Sequence, residues 1–134
     1  MSALNGGCMC GSISYSLNKE PRSLVICHCE NCRKIGGGLF SLNAIISEKD
    51  FSSQGEISVF TDIGESGSPV YRHFCGKCGS PIYAKIASAP GKIVLKVGSL
   101  DSIDGLVPKV EIYTERSPEW LPPIKTTEKF RRGQ

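Results

Sequence analysis

The sequence predicts an all-β fold of short antiparallel strands, and three observations carry that prediction. Its apolar runs are brief and rich in β-branched and aromatic residues, the composition suited to a pleated, half-buried surface. Turns bearing glycine or proline separate them. No stretch has the apolar i, i+3, i+4 spacing of a long helix.

In order, Gly6 and Gly7 make a flexible entry to Cys8-Met9-Cys10-Gly11, followed by Ser12-Ile13-Ser14-Tyr15-Ser16-Leu17. That run alternates polar and apolar side chains, as a half-buried strand does. Asn18 to Arg22, with Pro21, reads as a turn, and Ser23-Leu24-Val25-Ile26 as a buried strand that delivers its end into Cys27. Ile35-Gly36-Gly37-Gly38 reads as a loop and Leu39 to Ser47 as the next strand. Ser47 and Asp50 have the spacing of a capping pair, which predicts one helical turn over Glu48 to Phe51. Further strands are expected over Glu56–Thr61, Val70–Phe74, Ile82–Ile86, Lys92–Val97 and Val110–Tyr113, with turns at 64–69 and 88–91. A single domain over 1–124 then gives way to a basic tail, 125–134, in which Lys125, Lys129, Arg131 and Arg132 read mostly as a frayed terminus.

Size and charge bound the function. With 134 residues, 40% of them hydrophobic, the chain is one ordinary domain that buries about two-thirds of its unfolded surface. A net charge of +3, from 16 Lys and Arg against 13 Asp and Glu, is too small to argue for nucleic acid without a clustered patch. No apolar run approaches the roughly 18 residues that span a bilayer. Met1 to Gly7 lacks the basic start and apolar stretch of a signal peptide. These features place the chain in the cytosol, away from membranes.

The chemistry lies in the cysteines. Seven of them cannot all pair, and their C-x-C and C-x-x-C spacings are those that reducing compartments use for metals. Cys75-Gly76-Lys77-Cys78-Gly79 has the form of a zinc knuckle, whose last glycine permits a left-handed backbone that turns amide N–H groups toward the sulfurs. Cys8 and Cys10, if extended, point to one face. With Cys75 and Cys78 they would close a four-thiolate site and staple the N-terminal strand to the central hairpin. Subtraction leaves Cys27, Cys29 and Cys32. Three thiolates around a tetrahedral ion leave one position open, where a substrate or water can bind. Spacing alone also allows the two C-x-C pairs to exchange between the sites.

Each neighbour of the three-cysteine cluster has a sharp reading and a bland one. His28 alternates with Cys27 and Cys29, so in an extended chain its ring points away from the metal, which favours a core role over ligation. Glu30 is a proton relay or a solvated carboxylate. Arg33 and Lys34 are candidate substrate-binding residues, placed to pair with the carboxylates of a glutathione-like thiol or to offset thiolate charge; solvated surface charge is the alternative. His73 reads as a strand residue, and Trp120 as a pocket wall, core residue or packed flap. The sequence has no G-x-S-x-G, Walker-type loop or G-x-G-x-x-G, so the chemistries those motifs carry are not supported.

Four motifs occur in order: G-x-C-x-C-G at 6–11, C-H-C-x-x-C-R-K at 27–34, H-F-C-x-x-C-G-x-P at 73–81 and S-P-x-W-L at 117–121. Together they resemble the glutathione-dependent formaldehyde-activating enzyme family, which includes vertebrate centromere-protein relatives. The resemblance implies a β-tent fold with two zinc ions per chain. It implies a structural zinc at Cys8, Cys10, Cys75 and Cys78, a second zinc at Cys27, Cys29 and Cys32, and a carbon–sulfur lyase activity. In the enzyme that names the family, formaldehyde and glutathione are joined as S-(hydroxymethyl)glutathione.

Two functions from different classes follow. In the first, the three-cysteine zinc takes a small thiol such as glutathione as fourth ligand, lowers its pKa and presents the sulfur to an aldehyde such as formaldehyde. Three thiolates already donate heavily to the ion, which favours thiol activation over carbonyl polarisation. In the second, the protein is a non-catalytic zinc-stabilised binding module for an acidic partner or nucleic acid. The second zinc is then closed by a water, His28 or a partner's residue. A weak metal-storage position is a further reading of the same cluster.

Overall fold

A computed structural model describes residues 4–64 and 66–133 of the chain. Residues 1–3 at the start, and Glu65 within the turn expected over 64–69, lie outside the described residues. Strands β1 (Asn5–Gly7), β2 (Ser14–Leu17) and β5 (Phe51–Gln54) form a three-stranded antiparallel sheet in the order β1-β2-β5. The larger sheet is built from β3 (Ser23–Cys27), β4 (Ser41–Ser47), β6 (Ser58–Ile63), β7 (Pro69–Phe74), β8 (Pro81–Ile86), β9 (Lys92–Lys96), β10 (Val110–Ile112) and β11 (Glu128–Lys129). Its order is β11-β10-β3-β4-β9-β8-β7-β6. Neighbours run antiparallel, except that β10 pairs parallel with both β3 and β11. The fold is therefore all-β, as expected. No helix among the described residues is long and apolar enough to cross a membrane.

Alternation sets the core. In β2, Tyr15 and Leu17 are buried while Ser14 and Ser16 face solvent, the period-two pattern read from the sequence. These side chains join Ile13 with Leu24, Ala44, Ile82, Ile93 and Leu95 of the larger sheet in one cluster. The glycines of β1 answer to this packing: a Cβ on Gly6 would strike the Tyr15 hydroxyl, and one on Gly7 the Ile13 carbonyl.

Cross-strand register then decides what occupies the opposite face of the larger sheet. Cys27 pairs with Ser41, and Asn43 with Lys96. Farther along, Phe60 pairs with Arg72 and Arg72 with Ala84. Because directly opposed residues project to the same side, Cys27, Ser41, Asn43, Lys96 and Arg72 share one face, away from the hydrophobic cluster.

Four expectations are corrected. The loop over Ile35–Gly38 is partly helix: α1 spans Glu30–Gly36 and ends where Gly37 adopts φ 74. Its seven residues are too few to show an apolar period, so its signals are those of its ends. Cys29 caps its N-terminus by accepting from the Cys32 N–H, Glu30 lies in the first turn, and Gly37 terminates it. The turn at Glu48–Asp50 is 3-10, and Ser47 makes no side-chain capping bond, so the capping pair does not form. Trp120 is 70% exposed, neither core nor packed flap. The frayed tail instead carries β11, where Glu128 pairs with Val110 and Lys129 with Glu111. The Phe130 N–H also donates to the Glu111 carbonyl at 2.8 Å.

Candidate functional site

The seven cysteines are all free, and they gather into two groups. In each, the sulfurs lie within 4.8 Å of one another: Cys8, Cys10, Cys75 and Cys78 in one, Cys27, Cys29 and Cys32 in the other. The structure thus brings together the four-plus-three partition rather than the exchanged one. In the first group Cys8 Sγ and Cys10 Sγ are 3.6 Å apart, and Cys10 Sγ and Cys75 Sγ 3.7 Å. A tetrahedron with metal–sulfur bonds of about 2.3 Å has sulfur–sulfur edges of about 3.8 Å. Donors also converge on these sulfurs: the Ile13 N–H reaches Cys8 Sγ at 3.2 Å, and the Lys77 and Cys78 N–H groups reach Cys75 Sγ at 3.3 and 3.4 Å. Such bonds favour thiolates. The donor set fits a metal ion.

Ser12 and Ser80 complete this group, and sequence reading missed both. The Ser12 hydroxyl lies 3.2 Å from Cys10 Sγ and 3.3 Å from Cys75 Sγ, and the Ser80 hydroxyl 3.2 Å from Cys78 Sγ. The Ser80 contact is the main reason the Cys78 thiol is pulled down to about 5. A signal existed, since the chain repeats Cys-Gly-Ser at 10–12 and 78–80, and Gly11 and Gly79 adopt nearly the same left-handed conformation, φ 84 and 82.

The second group is built differently. Cys27 ends β3, Cys29 caps α1 and Cys32 lies one turn into it, so a strand end followed by a helical turn brings three residues of a short segment together. All three are buried. No histidine, fourth cysteine or carboxylate among the described residues joins them. Hydrogen bonds from the Cys27 and Cys29 thiols hold Cys32 far below its ordinary value, and the positive charges of Lys96 and Arg72 add to the effect. Cys27 is pushed up in turn by its bonds to Cys29 and Cys32.

His28 is fully buried, with its Nε2 donating to Glu111 Oε2 at 2.6 Å, and it takes no part in the cysteine group. Burial alone would raise the Glu111 carboxyl, but hydrogen bonds from Thr127 and His28 outweigh it and leave the group below its usual value. Thr127 bonds Glu111 Oε1 at 2.6 Å, so one carboxylate links the tail to His28. Tyr113, the one non-glycine residue with positive φ among the described residues, packs against the trio with Ile112.

A family model described as glutathione-dependent formaldehyde-activating enzyme matches residues 3–116. The chain belongs to this family. A relative from Halomonas elongata, provisionally named a glutathione-dependent formaldehyde-activating enzyme, is 28% identical over 130 residues. That match covers 88% of this chain and 79% of the relative. The crystal structure of a Rhodobacter sphaeroides protein shares the fold with TM-score 0.60 and 22% identity, covering 78% of this chain and 98% of the other.

Within this member of the formaldehyde-activating family, the expected substrate contacts separate. Lys34 pairs with Glu30 at 3.1 Å on the exposed side of α1, so Glu30 is a solvated carboxylate. Lys34 borders a cavity that it shares with Arg72, whereas Arg33 lines another with Glu30, Glu115, Arg116 and Arg131. His73 is a strand residue stacked on Tyr83, ring centres 4.2 Å apart. The polar residues beneath the trio were missed altogether. Lys96 donates to Ser41 Oγ at 2.8 Å and Asn43 Oδ1 at 3.2 Å, and Arg72 Nε to Asp62 Oδ2 at 2.9 Å. Burial holds the Lys96 ammonium below its ordinary value, against the pull of the Cys32 charge.

Proposed function

We propose that this protein is a zinc-dependent carbon–sulfur lyase-type enzyme, in which Cys27, Cys29 and Cys32 hold a zinc that binds a small thiol such as glutathione. Cys8, Cys10, Cys75 and Cys78 hold a second, structural zinc. The observation that carries this reading is the buried trio of sulfurs with no fourth protein donor beside it among the described residues. Family membership and the name of the Halomonas relative support the thiol and the aldehyde. A zinc held by Cys27, Cys29 and Cys32 would supply the positive charge that lowers the pKa of a bound thiol.

The chain's own residues account for the rest. Cys27, Cys29 and Cys32 fix the position of the reacting sulfur, and the Lys96 and Arg72 charges offset the accumulated negative charge. The thiol gives up its proton, its sulfur forms a carbon–sulfur bond to the aldehyde carbon as the carbonyl π bond breaks, and the oxygen takes up that proton or one from water in exchange; release runs in reverse. Seven free thiols support a reducing, cytosolic setting. The binding-module reading gains nothing from the tail, where Lys129 faces Glu111, and Arg131 and Arg132 face Glu115.

The test joins metal analysis to rate measurement. About two zinc per chain, and adduct formation faster than the spontaneous reaction, are expected. Cys29→Ser should keep the fold, because serine is a good helix cap, while losing one zinc and the thiol-dependent rate. A wild-type rate equal to the uncatalysed one, or unfolding of the variant, overturns the proposal.

A further inference from the structure

Arg72 is placed where a surface arginine is not expected. Its side chain is only 9% exposed, and among a guanidinium's five N–H donors the structure uses Nε alone, on Asp62. Its Nη1 and Nη2 make no hydrogen bond among the described residues, not even to the neighbouring sulfurs. Neither Nη atom is fully buried without a partner, so both stay open to an acceptor that enters from outside.

Beside Arg72 lies a cavity of about 250 Å³ between α1 and β6–β7, lined by Asn31, Lys34, Ile35, Phe60, Asp62 and Arg72. Its wall is fixed: Asn31 Nδ2 donates to both Asp62 oxygens, at 3.2 and 3.0 Å, and to the Ile63 carbonyl at 3.0 Å. Those bonds tie α1 to β6 and use up the Asp62 carboxylate on protein donors. Asn31 also immediately precedes Cys32, so the cavity adjoins the three-cysteine cluster. The volume is below the roughly 300–1,000 Å³ of sites that enclose a whole ligand, so it suits one arm of a molecule.

We propose that this cavity is a carboxylate subsite for the thiol substrate, with Arg72 as its anchor and specificity-determining residue. The proposal rests on the thiol-activation reading for the identity of the substrate. A planar fork of two Nη groups is the geometry that takes a carboxylate in bidentate fashion. The charges allow it as well. Lys34 is already paired with Glu30, so Arg72 and Lys96 stand against Asp62 and the one net negative charge of three thiolates around a divalent ion, and an entering carboxylate is answered locally by the free Arg72 fork. The rival role for Arg72 is to balance thiolate charge only, and it predicts no preference between an acid and its ester.

S-methylglutathione separates the two readings from each other and from thiol activation, because it keeps both carboxylates and has no thiol to ligate. Calorimetric titration of the zinc-loaded wild type should show the acid binding about tenfold or more tightly than its diethyl ester. Arg72→Gln should abolish that margin by weakening the acid alone, and Arg72→Lys should restore part of it. Equal binding of acid and ester by the wild type, or no binding of the acid, overturns the subsite without recourse to a variant that might not fold. Unchanged acid binding by folded Arg72→Gln overturns it too. Arg72-dependent binding without any thiol-dependent rate would leave the subsite standing and overturn thiol activation instead.

Discussion

At the scale of single residues, the division between what the sequence discloses and what it hides follows chain separation. Cys27, Cys29 and Cys32 were legible because six consecutive residues suffice to gather them, and Cys75 with Cys78 for the same reason. Ser41, Asn43, Lys96 and Arg72 were not, because they meet only through the registers of four strands, and each alone looks like an ordinary polar strand residue. His28 falls between: its separation from the cysteine group follows from local alternation, but its partner Glu111 does not. That pair gives a signed prediction. Glu111→Gln should cost about 1.5–3 kcal/mol at neutral pH, the range for a hydrogen bond to a charged group. Because the folded Glu111 carboxyl lies below its ordinary value, its contribution is fully present above the unfolded value of about 4.3 and is lost as pH falls through the lower folded value. Urea titrations of both proteins should therefore converge in acid, where any bound metal would be lost from both alike. A gap that persists below that range would refute a charged Glu111.

At the scale of elements, strands were legible and their ends less so. Period-two runs such as Ser14–Leu17 declare themselves, whereas α1 is set by a cysteine acting as a helix cap, a role that serine or aspartate usually advertises. The tail was misread because its composition is polar and basic. What orders it is two backbone registers with β10 and the Thr127–Glu111 bond, neither of which composition reveals. Truncation after Lys125 should expose the far edge of β10. We expect a lower melting temperature, by roughly 4–8 °C for each kcal/mol lost in a domain near this size, and faster amide exchange at Val110–Ile112. Exchange at β6, on the opposite edge, should not change. Equal protection of β10 in the two proteins would argue against β11 as a structural strand.

For the whole molecule, the all-β class followed from rhythm alone, but the sheet order did not. The parallel pairing of β3 with β10 joins segments from opposite ends of the chain, and no local signal specifies it. Nor does burial distinguish the two cysteine groups as function might suggest. The complete group has Cys10 and Cys78 exposed at the surface, while the incomplete one is buried. On the proposed zinc-binding reading, the complete group owes its strength to coordination. A structural zinc contributes about 10–16 kcal/mol, against a typical net stability of about 5–15 kcal/mol. Cys75→Ser should consequently unfold the protein, by circular dichroism, under conditions where Cys29→Ser stays folded. Folded Cys75→Ser would show that the small sheet holds without metal. The spans of the two groups also bear on how the chain is made. A ribosome releases Cys27, Cys29 and Cys32 almost at once, but Cys8 and Cys10 must await Cys75 and Cys78 through the synthesis of about half of the chain. If the two groups hold zinc as proposed, the early pair is free during that interval to compete for the ion of the trio, so the exchanged pairing absent from the finished fold becomes a hazard of the nascent chain.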